Sequence, residues 1–461
     1  MNKKFYLILA ALAVAGFFSA ACTPADNDTD DPGVLENFLV DLKVSVPVNE
    51  NWVFDKRPAL VLHVENPNGV PVLAYASLRI STDMGKVVTD PMLQKEFEAP
   101  ALGSIDITFT TNYDLDPGIY KAATFVNNRT AKIFNFAVNP LDIKSPPDKL
   151  DDFDSFWNDA RNQLPELNEN NVTVIEIAKK SNSNCKVYFV EIPSVPDGLD
   201  GDPVLVRGYY LEPQDGKKHP VIMHFQGYDT QPNPPKMSCP SGNNGEYAEF
   251  YLSHRGQYIN ARPASKRDDG VEQDFENIYG DWFAYNFGDK NSYYYRGAFM
   301  DCVQAVHFMA TRSTSDMDNL FAEGSSQGGA LCYAAAALSD IPFSAIAPNV
   351  AFLGDFPDYF KIVSWPGDTA KRCAKEKNMS DDEMYASLSY FDTKNLATKI
   401  SCAVWATSGL QDGTCPPHTN LAPFNNLLST DKTMNFYPEM QHSYPASWNS
   451  DISKFFKAHT K

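Results

Sequence analysis

The chain is short of positive charge. Its 461 residues carry 39 Lys and Arg against 58 Asp and Glu, a formal net charge of −19. A phosphate-binding face needs clustered basic side chains, and no such cluster occurs, so nucleic acid is excluded as a partner. Cysteine offers no scaffold. Beyond Cys22 there are Cys185, Cys239, Cys302, Cys332, Cys373, Cys402 and Cys415, odd in number and without framework spacing. No Cys-x-x-Cys, His-Glu-x-x-His or calcium-loop pattern is present, so no metal site is expected. Internal repeats and low-complexity tracts are lacking. The apolar run from Phe5 to Phe18 is too short to span a bilayer comfortably.

That run is nonetheless informative. Lys3 and Lys4 precede it and Ser19-Ala20-Ala21-Cys22 follow it, the layout of a secretory signal. A cysteine directly after small residues resembles the lipobox of bacterial lipoproteins. That resemblance implies a signal peptide over residues 1–22, lipidation of Cys22, and an exported chain held to the bacterial membrane, in the periplasm or at the cell surface, by this anchor alone. Residues 23–33 are acidic and polar with Pro24, Pro32 and Gly33, a composition suited to a flexible linker.

Residues 34–141 read as β. Phe38, Val40, Leu42, Val44 and Val46 alternate with polar neighbours, as do Leu60, Leu62 and Val64, Ile105, Ile107 and Phe109, and Phe134, Phe136 and Val138. Period two buries one face of a strand and wets the other. Turn residues break the runs at Asn66-Pro-Asn-Gly and Asp114-Leu-Asp-Pro-Gly. About seven short strands in about a hundred residues suggest an immunoglobulin-like β-sandwich, serving as a spacer, an interaction module or a carbohydrate-binding module.

From 142 to 461 the pattern changes. Phe153, Phe156, Trp157, Ala160 and Leu164 fall at helical spacing. Val221 to Phe225 is a continuous apolar run, as in a strand buried on both faces. Ala298 to Thr311 reads as a helix, Leu320 to Ala322 as a strand, Gly328 to Leu338 as an Ala-rich helix, and Ala403 to Thr407 and Met434 to Tyr437 as strands. Such alternation predicts an α/β domain whose parallel sheet is flanked by helices.

Between the strand at Leu320 and the helix at Gly328 lies Gly324-Ser325-Ser326-Gln327-Gly328. It fits Gly-x-Ser-x-Gly, in which a nucleophilic serine sits on a strained turn too tight for side chains two residues to either side. Centring on Ser325 would require Glu323 to be glycine, so Ser326 is the candidate nucleophile and Ser325 the spacer. A serine hydroxyl needs a base and a group to orient that base. In chain order Asp412 and His442 follow the two later strands, at the strand ends where open sheets carry their sites. His418, His307, Asp355 and Asp358 are rivals with poorer placement. The oxyanion would be held by the backbone N–H of Gln327 and of Tyr228, in the loop Gln226-Gly227-Tyr228. Gln327 is thus expected to matter through its N–H rather than its amide. Tyr293, Tyr294 and Tyr295 read as packing, and Trp282 and Phe352 as pocket candidates.

Several ordered motifs then carry a resemblance: His254-Arg-Gly-Gln, Tyr293-Tyr-Tyr-Arg-Gly, Gly324-Ser-Ser-Gln-Gly-Gly, Leu388-Ser-Tyr-Phe-Asp and Asp412-Gly-Thr-Cys-Pro-Pro. Over residues 145–461 the chain resembles the acetyl xylan esterase and cephalosporin C deacetylase family, carbohydrate esterase family seven. The resemblance implies an α/β-hydrolase fold, a Ser326, Asp412, His442 triad and oxyanion donors at Tyr228 and Gln327. It makes Arg255, Gly256 and Gln257 a structural motif near the site. It implies removal of acetyl groups from xylo-oligosaccharides or related small acetylated compounds without metal or organic cofactor, and a homo-oligomer, with which the added N-terminal domain must be reconciled. Two departures stand out: Gln226 replaces a histidine and Ser443 replaces a glutamate of the family pattern. A serine peptidase on the same fold, and a carbohydrate-binding surface lipoprotein with a silenced hydrolase domain, are the alternative functions.

Overall fold

Strand alternation sets the N-terminal architecture. The computed structural model describes residues 41–228, 237–257, 259 and 279–461. The signal peptide, Cys22, the linker, Phe38 and Val40 lie outside them. Eight strands come first: β1 (Lys43–Ser45), β2 (Val53–Phe54), β3 (Ala59–Asn66), β4 (Val72–Thr82), β5 (Leu93–Ala99), β6 (Gly103–Thr110), β7 (Gly118–Val126) and β8 (Arg129–Val138). They form a three-stranded sheet, β1-β3-β6, and a five-stranded sheet, β2-β8-β7-β4-β5. Leu60, Leu62 and Val64 of β3, Ile107 and Phe109 of β6, and Phe134 and Phe136 of β8 are buried. Each such side chain contributes about 1.5–3 kcal/mol on leaving water.

The rest of the chain builds a nine-stranded sheet from β9 (Thr173–Glu176), β10 (Cys185–Pro193), β11 (Leu205–Pro213), β12 (His219–Phe225), β13 (Ala248–Ser253), β14 (Ser315–Ser325), β15 (Ala345–Asn349), β16 (Ala403–Gly409) and β17 (Lys432–Tyr437). Its order is β17-β16-β15-β14-β12-β13-β11-β10-β9. The expected parallel sheet is present only from β13 to β17. β9, β10 and β11 run antiparallel, and β11 joins β13 antiparallel. The reason is the connection: no helix separates Pro193 from Leu205, and a parallel return needs a crossover.

The helices are α1 (Phe153–Asn162), α2 (Tyr294–Ala310), α3 (Gln327–Leu338), α4 (Phe356–Ile362), α5 (Gly367–Glu376), α6 (Asp381–Ser389), α7 (Thr393–Ala397), α8 (Pro417–Asn425) and α9 (Trp448–Ala458). On one face of the sheet Trp448 and Phe456 of α9 cover Ile222, Phe321, Ala345 and Ala403. On the other, Val221, Met223 and Phe225 of β12 join a large core with α1, α2 and α3. The apolar run of β12 is thereby explained, since both its faces are covered. Leu42–Lys461 is one compact unit. The seven cysteines among the described residues are unpaired, and no described helix is long and apolar enough to cross a membrane.

One charge lies inside the sheet. His224 of β12 pairs with Glu249 of β13 at 3.0 Å and Glu323 of β14 at 2.6 Å, and its ring stacks on Tyr251. Burial opposes the imidazolium, but the two carboxylates outweigh it and push the pKa up to about 9. A pKa raised above the unfolded value, ~6.5, stabilises the fold fully below that value and progressively less as pH rises through about 9. His224→Gln is therefore expected to cost on the order of 3 kcal/mol at neutral pH, because it leaves two largely buried carboxylates without their counter-charge. Calorimetry should show the melting-temperature gap between variant and parent narrowing as the pH rises toward roughly 10.

Candidate active site

β14 ends at Ser325 and α3 starts at Gln327, so Ser326 alone makes the turn between them. It takes φ 59° and ψ −121°, a conformation that side-chain-bearing residues rarely adopt. The flanking glycines permit it. A Cβ on Gly324 would lie 2.6 Å from the Gly328 carbonyl, and one on Gly328 would lie 2.2 Å from the Phe225 oxygen. The turn is braced by Ser326 N–H donating to Asn349 O and by Phe352 N–H donating to Ser326 O, each at 3.0 Å. Ser326 Oγ lies 4.0 Å from Cys415 Sγ.

Asp412 and His442 come together on neighbouring loops. Asp412 Oδ2 is 2.8 Å from His442 Nδ1. Its other oxygen accepts the N–H groups of Thr414 and Cys415 at 2.8 and 2.9 Å. The carboxylate is thus buried and fully engaged, while the histidine ring reaches solvent. Main-chain bonds tie the two loops: Leu410 N–H to Tyr437 O and Gln411 N–H to Met440 O, each at 3.0 Å. No hydrogen bond joins Ser326 Oγ to His442 among the described residues. Cys415 spans the gap, with its N–H on Asp412 and its sulfur against Ser326. Burial and the nearby Asp412 push its thiol pKa up, so it stays a neutral thiol.

The two oxyanion candidates lie on adjoining segments. Gln327 N–H belongs to the first turn of α3, where N–H groups have no acceptor within the helix. The loop 226–228 abuts the turn, since a Cβ on Gly227 would lie 3.7 Å from Ser325 O. The Tyr228 hydroxyl donates to Asp281 at 2.6 Å, and its ring packs edge-on against Trp282 and Trp365. The Gln327 amide does more than the sequence suggested. Tyr295 O–H donates to its Oε1 at 2.9 Å, and its Nε2 lies 2.9 Å from His254 Nε2. Burial lowers the His254 pKa to about 4, so the ring is neutral and its Nε2 accepts from the amide. Its Nδ1–H then faces the Tyr294 hydroxyl at 3.0 Å, which itself donates to Arg255 O at 2.7 Å. This buried chain holds Gln327, and with it the first turn of α3.

Arg255 is buried against Asp301 of α2, with Nη2 at 2.7 Å and Nε at 3.0 Å, and its Nη1 reaches Asp197 at 2.8 Å. Burial disfavours the guanidinium, but Asp301 outweighs it and raises its pKa. Gly297 is needed for this, because a Cβ there would lie 2.1 Å from the guanidinium carbon. Gly256 takes φ 77°, and Gln257 N–H closes the turn onto His254 O at 3.0 Å.

The rival residues are engaged elsewhere. His418 pairs with Asp83 and Asp358, and His307 with Asp340. Asp355, Asp358 and His418 bring ligand-type atoms within 4.8 Å of one another. Lys394 pairs with Asp355 and Asp83 with His418, so this cluster is an ion-pair network. Tyr293, Tyr294 and Tyr295 are buried, and so are Trp282 and Phe352. Sequence reading missed Asn349, whose Nδ2 donates to Ser325 Oγ at 2.7 Å and to Ser443 O at 3.1 Å, linking the turn to the His442 loop. It also missed His254, Cys415 and Gln411. Of these His254 and Cys415 carried a signal, as members of the motifs His254-Arg-Gly-Gln and Asp412-Gly-Thr-Cys-Pro-Pro.

A mixed sheet with a strained serine at a strand–helix turn, and an aspartate–histidine pair at the ends of the next strands but one and two, defines an α/β-hydrolase-like carboxylic ester hydrolase. Comparison agrees. The family model described as "Acetyl xylan esterase (AXE1)" matches residues 133–459. The chain belongs to the acetyl xylan esterase family. Acetyl esterase Axe7A of Xylanibacter ruminicola is 25% identical over 331 residues, 71% of each chain. Acetyl xylan esterase from Paenibacillus sp. R4 aligns at TM-score 0.56 and 27% identity, over 69% of this chain and 98% of that one. Acetyl xylan esterase 1 from Thermoanaerobacterium sp. aligns at TM-score 0.56 and 22% identity, over 69% and 96%.

The close approach at Gly328 gives a direct test of the turn. Gly328→Ala must displace either α3 or β12, and a shift on the order of 1 Å at a reacting group costs roughly 100-fold in rate. Aryl acetate hydrolysis by the folded variant should fall by about that factor in kcat.

Proposed function

We propose that this acetyl esterase removes acetyl groups from acetylated xylo-oligosaccharides or related small acetylated compounds, through a covalent acyl-enzyme on Ser326. The observation that carries this reading is the Asp412–His442 pair at 2.8 Å together with a serine held at φ 59° at the turn that leads into a helix. Ser326 Oγ attacks the ester carbonyl carbon and passes its proton to His442 Nε2. The backbone N–H groups of Tyr228 and Gln327 hold the oxyanion of the tetrahedral intermediate. His442 returns the proton to the departing sugar oxygen as the C–O bond breaks. Water, deprotonated by the same ring, then attacks the acyl carbon and releases acetate and Ser326. Asp412 keeps Nδ1 protonated and stabilises the imidazolium. The bond between Ser326 and His442 belongs to the substrate-bound state, since catalytic hydrogen bonds often tighten only there.

The same reading gives the chain its setting. Residues 34–141 make an immunoglobulin-like β-sandwich, supported by the two sheets with buried inner faces, and 142–461 the esterase domain. Cys22 anchors an exported chain to the bacterial membrane through lipid, which suits a substrate found outside the cell.

Ser326→Ala should abolish acetate release from aryl acetates and from acetylated xylo-oligosaccharides. Asp412→Asn should lower kcat by roughly 10⁴, as expected when the histidine loses its orienting carboxylate. Wild-type turnover in Ser326→Ala would refute the mechanism. Acetate release compared across acetylated xylan, xylo-oligosaccharides and cephalosporin C fixes the substrate, and a peptide amide left uncleaved separates the esterase from a peptidase.

A further inference from the structure

The N-terminal sheets reach the two loops that carry Asp412 and His442. Asn135, on β8, meets Gln411, the residue before Asp412. Asn135 main-chain N–H donates to Gln411 Oε1 at 2.8 Å, Gln411 Nε2 donates to Asn135 O at 3.0 Å, and Asn135 Nδ2 donates to Leu410 O at 2.9 Å. Gln411 Nε2 also donates to Pro438 O at 2.7 Å, on the His442 side. On the same strand Lys132, lying over the Trp52 ring, pairs with Glu439 at 3.2 Å. Asp83, just past β4, pairs with His418 in the first turn of α8 at 2.9 Å. Contacts from the β layers therefore fall on the acid loop, the histidine loop and the helix that follows the acid loop.

We propose that β8, through Asn135 and Gln411, positions the catalytic pair by splinting the Asp412 and His442 loops to each other. The direction His442 faces depends on where these two loops stand. Between them run two main-chain bonds and the Gln411 side chain, which satisfies both loops and β8 at once. An amide in that place cannot let go of β8 without loosening its hold on Pro438, so the order of the pair is coupled to the order of the strand. Asn135 and Gln411 touch no substrate in this scheme and act only through Asp412 and His442. The proposal rests on the triad reading above.

The test uses the full chain and an aryl acetate, with kcat and KM measured separately. Gln411→Leu should lower kcat by about 10- to 100-fold and Asn135→Ala by about 3- to 10-fold, with KM within about 3-fold, because a misplaced catalytic group loses rate rather than binding. Asn425→Ala removes a different contact to the N-terminal segment, the bonds from Asn425 Nδ2 to Pro140 O and Ile143 O at 3.2 and 3.0 Å, and should leave kcat unchanged. In an Asp412→Asn background, Gln411→Leu should cost nothing further, since residues acting as a unit are not additive. The splint is overturned by a kcat within about 2-fold of wild type in both variants, by an equal loss in Asn425→Ala, or by a full additive loss in the Asp412→Asn background. If Gln411→Leu does not fold, Asn135→Ala decides on the same readouts. Full activity in Asp412→Asn would instead remove the triad reading itself.

Discussion

The site depends on one close approach. At Gly328 the first turn of α3 comes so near β12 that a Cβ would stand 2.2 Å from the Phe225 oxygen. This contact holds α3 tight against β12, the neighbour of β14, and a single residue, Ser326, turns the chain from β14 into the helix. The resulting backbone strain is of order 1–3 kcal/mol and persists because neighbours over-determine it. Asn349 O and Phe352 N–H hold Ser326 from both sides, while the Asn349 amide reaches Ser325 and the His442 loop. The same approach sets the start of the loop 226–228 against Gly328, where a Cβ would lie 3.3 Å from the Gln226 carbonyl carbon. In the proposed mechanism the placement of the nucleophile and of the oxyanion donors therefore depends on the same contact.

Charged groups around the turn, buried or largely so except for the half-exposed Asp197, are arranged in matched sets. His224 is matched by Glu249 and Glu323, and Arg255 by Asp301 and Asp197. Such pairs add little net stability, because desolvation cancels much of the attraction, but losing one partner is costly. Their effect here is registry. The first set locks β12, β13 and β14 side by side just below Ser326, and the second locks the loop after β13 onto α2. Between them runs the neutral chain from Gln327 through His254 to Tyr294. An imidazolium in that chain would turn a donor toward the Gln327 amide donor, and burial guards against this by holding the His254 pKa near 4.

Much of this was readable from the amino-acid order because it depends on neighbours in sequence. The glycines two residues either side of Ser326 report the tight turn, and the unbroken apolar run Val221–Phe225 reports a strand covered on both faces. Asp412 and His442 follow from strand-end positions. What was hidden depends on distant partners. His224 lies opposite residues 25 and 99 positions away, and nothing in an apolar strand names a carboxylate so far off. β9 is exposed along its whole length and carries no buried face to reveal it. The Gln327 amide was undervalued because the Gly-x-Ser-x-Gly pattern speaks only for its backbone.

Asn135 shows where periodicity stops informing. Between Phe134 and Phe136 it reads as the wet side of a half-buried strand, and alternation says that two faces differ, not what covers the second. Here the second face meets the loop that carries Asp412. The family match starts at residue 133, inside β8, so the strand that touches Gln411 lies within the matched region while β1 to β7 lie before it. β7 is hydrogen-bonded to β8 along nearly its whole length, with Lys121 opposite Asn135, and β4 and β5 continue the same sheet. The preceding sheet is thus an extension of a strand that the esterase already uses. A module tethered by a flexible linker could turn without the site noticing. A sheet built onto β8 is instead tied, through Asn135 and Gln411, to the loops that carry Asp412 and His442.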